Sequence, residues 1–266
     1  MDKRKHSAVM YMHYFNLIWR SILFLVVLTV WILDMAKPGG TIVNQMEQHT
    51  VLVVVLWVVF AGEMILRLFP STIRSPGCQK QFAKNYIKTG ETDIKISDNY
   101  ATMLVALIWI LFNALFGALH MLGILDDGFM LVLCCAYSVC DVICILFFCP
   151  FQSWFFKNRC CVTCRIYNWD YAMMFTPLFF IPNLYTWSLL ALSVLLLVRW
   201  EITFFLHPER FSENTNEYLK CANCTEKLCR HKKQLAPLWR RIDQYTRTRI
   251  QKLKRDKTEE KTEDKH

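Results

Sequence analysis

Ala172–Leu206 reads AMMFTPLFFIPNLYTWSLLALSVLLLVRWEITFFL, and its interpretation decides how often the chain crosses a bilayer. A hydrocarbon core of about 30 Å takes about 20 helical residues, so this region is too long for one span. Pro182-Asn183 lies within it and signals a turn. The region therefore reads as a hairpin. Its first arm, from about Ile166 to Pro182, is short and interrupted by Pro177, which leaves a re-entrant segment as the alternative. The distinction sets the side on which the tail emerges.

Four apolar runs precede the hairpin: Tyr14–Met35, His49–Phe69, Tyr100–Leu122 and Gly128–Cys149, each long enough for one crossing. Composition agrees, since 54% of residues are hydrophobic and mean hydropathy is positive, more apolar than one soluble core needs. The basic stretch Met1–His6 ahead of an apolar run could be mistaken for a secretory signal. That run is too long and lacks a small-residue cleavage site, so it is expected to stay as an anchor helix. The expected fold class is an all-α integral membrane protein of about six transmembrane helices, in the cell's inner or plasma membrane.

Orientation follows from lysine and arginine, which are retained on the cytoplasmic side. The N-terminal stub, the Pro70–Asn99 loop, the Pro150–Arg165 loop and the tail are basic, whereas Lys37 is the only basic residue in the alternate connections. Both termini are thus expected in the cytoplasm. The resulting divisions are a four-helix region 1–149, a cysteine-containing loop 150–171, the hairpin 172–206, a cysteine-rich and amphipathic tail 207–254, and a charged end 255–266 expected to be disordered. In the tail, Leu235, Leu238, Trp239, Ile242 and Tyr245 recur at helical steps among basic residues. Such a helix packs on the protein's own cytoplasmic face or lies in the headgroups. The net charge of +9 sits beside the spans, so anionic lipid headgroups, not nucleic acid, are its expected partner.

Counted from the cytoplasmic ends, Arg20, Glu63, Asp141 and Arg199 each fall roughly 9–12 Å inside their spans, in one layer. Charges at that depth face the bundle interior and find partners. They either tie the helices together or form a proton or ion relay. Glu63 and Arg67 are spaced to pair on one helix face. Asn113, Gly117 and His120 on the third span and Cys134, Tyr137, Ser138 and Cys144 around Asp141 suggest a polar seam between spans three and four. No internal repeat or matching pair of broken helices supports a secondary transporter. Phe60–Pro70, with a glutamate before an arginine, resembles the second helix of voltage-sensing domains, and Asp141 within Cys140–Ile143 is similar to the acidic position of their third. The following span lacks arginine at every third position, so the chain is not assigned to that family.

The chain has 12 cysteines. Cys134, Cys135, Cys140, Cys144 and Cys149 lie within or at the end of the fourth span, where cysteine packs as a small apolar residue. Cys78 stands alone in its loop. Cys160-Cys161-Val162-Thr163-Cys164 precedes the hairpin, and Cys221-Ala222-Asn223-Cys224 with Cys229 follows it. A hairpin returns the chain to its starting side, so both C-x-x-C pairs belong to a reducing compartment. Cys161, Cys164, Cys221 and Cys224 are therefore expected to hold zinc, with iron or an iron–sulfur cluster as the alternative and Cys160, Cys229 and His231 as extra candidate ligands. Redox-active or unliganded thiols are the remaining reading.

The sequence shows no Ser-His-Asp set, phosphate loop or H-E-x-x-H, which argues against an ordinary hydrolase or nucleotide-driven enzyme. Three function classes remain: a non-enzymatic membrane protein whose metal site joins the hairpin to the tail for assembly or partner binding, a membrane redox component, and an ion or proton channel or transporter.

Overall fold

The computed structural model describes residues 8–36, 50–70, 77–94, 99–156, 160, 162–220, 222 and 224. These belong to one unit, Met1–Glu226. Cys161, Cys221, Cys229, His231, the expected tail helix and the charged end lie outside the described residues.

Helices account for the regular structure: α1 Ala8–Met35, α2 Thr50–Leu68, α3 Asn99–Met121, α4 Asp127–Leu146, α5 Asp170–Phe175 and α6 Leu184–Leu206. Among the described residues the only β pairing is an isolated antiparallel bridge, Lys88 to Asn216. Val9–Met35, Asn99–Met121, Asp127–Leu146 and Leu184–Leu206 are long and apolar enough to cross a membrane. The exterior supports this. Ile18, Ile22, Leu25, Leu107, Ile110, Leu111, Leu195 and Ile202 are all exposed, an apolar surface that suits lipid rather than water.

Helix directions follow from the contacts. Trp31 Nε1 donates to Asp126 Oδ1 (2.9 Å), Arg20 Nη1 to Asp141 Oδ2 (3.3 Å), and the Tyr14 and Phe147 rings meet at 6.3 Å, so α1 and α4 are antiparallel. Trp57 Nε1 donates to Ser188 Oγ (2.8 Å) and Arg199 to the Leu68 carbonyl, so α2 and α6 are parallel.

The first arm of the expected hairpin is broken twice. Arg165–Trp169 and Thr176–Phe180 are 3-10 turns flanking α5. Pro177 has no N–H for the helical ladder, and Thr176 Oγ1 bonds back to the Ala172 carbonyl at 2.8 Å. Exposed to lipid, such backbone would be costly; buried in protein it is tolerated. Tyr171, Met174, Phe175, Leu178 and Ile181 are in fact at the centre of the core. The segment runs beside α6 from Glu201, bonded by Arg165 and Trp169, to the Pro182-Asn183 turn.

That turn carries a capping box. Asn183 Oδ1 accepts from Tyr185 N (3.0 Å), and Thr186 Oγ1 accepts from Asn183 N (3.3 Å). Asn183→Ala is expected to cost about 1 kcal/mol, read as a lower melting temperature.

The 77–94 segment is solvated beyond Phe82, where Lys84, Lys88, Glu91 and Asp93 are exposed, but not at its start. Cys78, Gln79, Lys80, Gln81 and Phe82 are buried. Gln81 Nε2 donates to the Val162 carbonyl (2.8 Å), while Asn216 Nδ2 donates to the Lys80 carbonyl (2.9 Å). The segment thus links the loop before the broken arm to the chain after α6.

Candidate intramembrane charge site

Arg20 is 2% exposed, at the middle of α1, and both terminal nitrogens of its guanidinium are engaged. Nη2 donates to Glu63 Oε2 at 2.8 Å, and Nη1 donates to Asp141 Oδ2 at 3.3 Å and to the Ser138 carbonyl at 3.2 Å. One cation on α1 therefore serves carboxylates from α2 and α4. Tyr171 Oη also donates to Glu63 Oε2 (2.6 Å), bringing the broken segment into the same network.

One turn away, Arg67 pairs with Asp170 and lies over the Tyr171 ring at 4.7 Å. Asp170 Oδ1 accepts from Tyr171 N (2.9 Å), so both its oxygens are used. The expected Glu63–Arg67 pairing on one helix face does not occur; each takes a partner on another element. Arg199, also expected in the layer, instead donates to the Leu68 carbonyl and faces the Phe82 ring at 5.6 Å. Of the four layer residues, the structure brings together Arg20, Glu63 and Asp141.

A cavity of about 610 Å³ opens between α1 and α2, lined by His13, Asn16, Arg20, Glu63, Arg67 and Asp141. His13 is 3% exposed, and its Nε2 has no hydrogen-bond partner among the described residues. A second cavity of about 300 Å³ lies on the other side of Asp141, which lines both. Asp141 Oδ1 accepts no hydrogen bond among the described residues, and the side chain is 19% exposed.

Three of these groups escape sequence reasoning. His13 immediately precedes the first apolar run, Tyr14–Met35, where a histidine commonly sits at the interface. Asp170 and Tyr171 fall at the end of the expected 150–171 loop, yet they are packed against α1 and α2. The signal was Asp170 beside the apolar arm, a carboxylate in need of a cation, which Arg67 supplies from α2.

The polar seam is narrower than its stripe of residues. Tyr137 Oη donates to Asn113 Oδ1 at 3.3 Å, but Gly117 is packed under the Phe180 ring and His120 turns to the Leu125 carbonyl and Asp127. At the end of α6, Arg165 pairs with Glu201 and lies over the Phe204 ring at 3.3 Å. Burial lowers the Arg165 guanidinium from its usual range, and the Glu201 carboxylate opposes that shift.

The metal expectation finds no ligand set here. Among the described residues no three His, Cys, Asp or Glu side chains gather as a metal ion requires. Cys164 is buried with Ala101, Val105, Phe156 and Ile166, and Cys160 is also buried. Lys80 Nζ lies 3.7 Å from Cys224 Sγ. Cys161 and Cys221, the other two expected ligands, are outside the described residues.

A comparison with protein-family models, curated proteins and solved structures returns no match to the chain.

Proposed function

We propose that this chain crosses the membrane six times with both ends in the cytoplasm, and that it transfers protons by way of Glu63 and Asp141. The observation that carries the reading is one guanidinium shared by two carboxylates, beside a cavity that reaches an unpartnered His13 nitrogen. Arg20 and Arg67 face Glu63, Asp141 and Asp170, so the fully ionised cluster has one negative charge in excess. In a low dielectric that excess is costly, and a proton is the smallest species that removes it. Asp170 is already satisfied by Arg67. The exchangeable position is then Glu63 or Asp141, with the His13 imidazole lining the cavity that leads to them.

The antiparallel and parallel contacts between the helices support the six-pass reading, with the broken segment and α6 as its last two crossings. Accessibility labelling should find positions 1–10, 75–95, 152–160 and 210–266 on one face and Asn183 on the other. A tail opposite the N-terminus would remove the hairpin.

The proton reading is tested in proteoliposomes containing a pH-sensitive dye, under an imposed potassium diffusion potential. Wild-type protein should acidify or alkalinise the lumen, and Asp141→Asn should slow the initial rate by about a hundredfold, the scale of losing one positioned proton carrier. Equal rates for wild type, Asp141→Asn and protein-free vesicles would end it.

A second reading is favoured by one observation: consecutive residues Lys80 and Gln81 contact Cys224 and Val162, one from each cysteine-bearing stretch. On that reading Cys161, Cys164, Cys221 and Cys224 hold a zinc or iron ion that clamps the cytoplasmic face, a site for assembly with a protein partner. Metal analysis should then find about one ion per chain, lost on serine replacement of any of the four. Colourless protein with stoichiometric zinc separates the structural ion from an iron electron carrier.

A further inference from the structure

We infer that the second cavity beside Asp141 is a binding site for a lipophilic organic monocation, with the Asp141 carboxylate as its counter-charge. The inference goes beyond the proton reading: with the proton off Asp141, an organic cation takes its place as the species that balances the excess charge. The cavity, about 300 Å³, runs from Cys149–Gln152, beyond the end of α4, to Trp109 and Tyr137 near the middle of α3 and α4. Ile145, Met173 and Met174 give it apolar walls.

Trp109 and Tyr137 form the inner end. Their ring centroids are 4.6 Å apart and the planes are inclined by 53°, which leaves an aromatic corner. Three hydrogen bonds hold that corner. Tyr137 Oη donates to Asn113 Oδ1 (3.3 Å), Asn113 Nδ2 donates to the Trp109 carbonyl (2.9 Å), and Trp109 Nε1 donates to Thr176 Oγ1 (3.3 Å). Aromatic faces attract a desolvated cation.

The charge selects the ligand's sign. Asp170 also lines the cavity, but its oxygens are occupied by Arg67 and Tyr171 N, so Asp141 Oδ1 is the carboxylate oxygen with capacity to spare. An anion would meet two carboxylates, and a neutral ligand would leave the excess charge uncompensated. A small metal ion would lack the ring of oxygen ligands needed to replace its water. An organic cation sheds its weakly held water more readily and covers the apolar walls. The volume is at the lower end for small-molecule sites.

The test is equilibrium dialysis of the purified full-length chain in detergent with radiolabelled benzyltrimethylammonium, a cation that combines an aromatic ring with a quaternary ammonium. Its neutral carbon isostere, neopentylbenzene, serves as competitor. Saturable binding of about one cation per chain is expected, unaffected by the isostere. Asp141→Asn should weaken it about tenfold or more, and Trp109→Leu severalfold. Where Asp141→Asn does not fold, judged by size-exclusion chromatography, Trp109→Leu decides, and wild-type affinity in that variant overturns the inference. So does equal competition by neopentylbenzene, or the absence of saturable binding to the wild type. If binding is absent while Asp141-dependent proton flux persists, the site assignment falls and the proton reading stands alone.

Discussion

Arg20→Leu is expected to abolish most of the folded protein. The guanidinium is the shared partner of Glu63 and Asp141 and also caps the Ser138 carbonyl, so its loss strands two carboxylates in the bundle interior. Breaking one buried ion pair by removing a partner costs about 3–5 kcal/mol. Here a single substitution breaks two, against a total stability of about 5–15 kcal/mol for a typical domain. The compensating changes carry a specific signature. Arg20→Leu with Glu63→Gln should recover only part of the loss, because Asp141 remains unpaired; recovery should require Asp141→Asn as well. Detergent size-exclusion yield and thermal unfolding measure this. If Arg20→Leu accumulates and melts like the wild type, the cluster does not hold the helices together.

The Arg67–Asp170 pair should behave differently, and the difference follows from its stoichiometry. Arg67 bonds Asp170 one to one and stacks on Tyr171, joining α2 to the broken segment. Arg67→Leu or Asp170→Asn alone should cost about 3–5 kcal/mol, because each leaves a poorly solvated partner behind. The double variant Arg67→Leu with Asp170→Asn should cost far less than the sum, since no unpaired charge remains. Arg67→Lys should rescue incompletely, because an ammonium has neither the planar fork nor the flat face that rests on the Tyr171 ring. An additive double variant would mean that the two side chains do not interact in the folded protein.

These contrasts mark the limit of reading the chain in one dimension. Apolar runs are legible because lipid acts on each segment locally: Tyr100–Leu122 matches α3 to within a residue at each end, and Tyr14–Met35 shares its end with α1, which starts six residues earlier at Ala8. Pro182-Asn183 was legible for the same reason, since proline stops a helix and asparagine caps the next one within a few residues. Pro177 likewise announced a broken arm, but not that the arm would form the centre of the core. That outcome depends on Phe60, Met130, Leu196 and Trp200, which come from three other helices.

From the sequence alone came the all-helical class, the apolar segments, and the grouping of Arg20, Glu63 and Asp141 at one level of their helices, because helical rise and transfer energy need only neighbouring residues. Tertiary structure decided which charges meet. It gave Arg20 two carboxylates, moved Arg67 from its helix neighbour Glu63 to Asp170, turned Arg199 toward a backbone carbonyl, and set Asp141 between two cavities. The physical reason is that a buried charge must find a counter-charge somewhere, but the demand is local and the choice of partner is not. That choice depends on helix rotation and crossing, which arise from packing across the whole bundle.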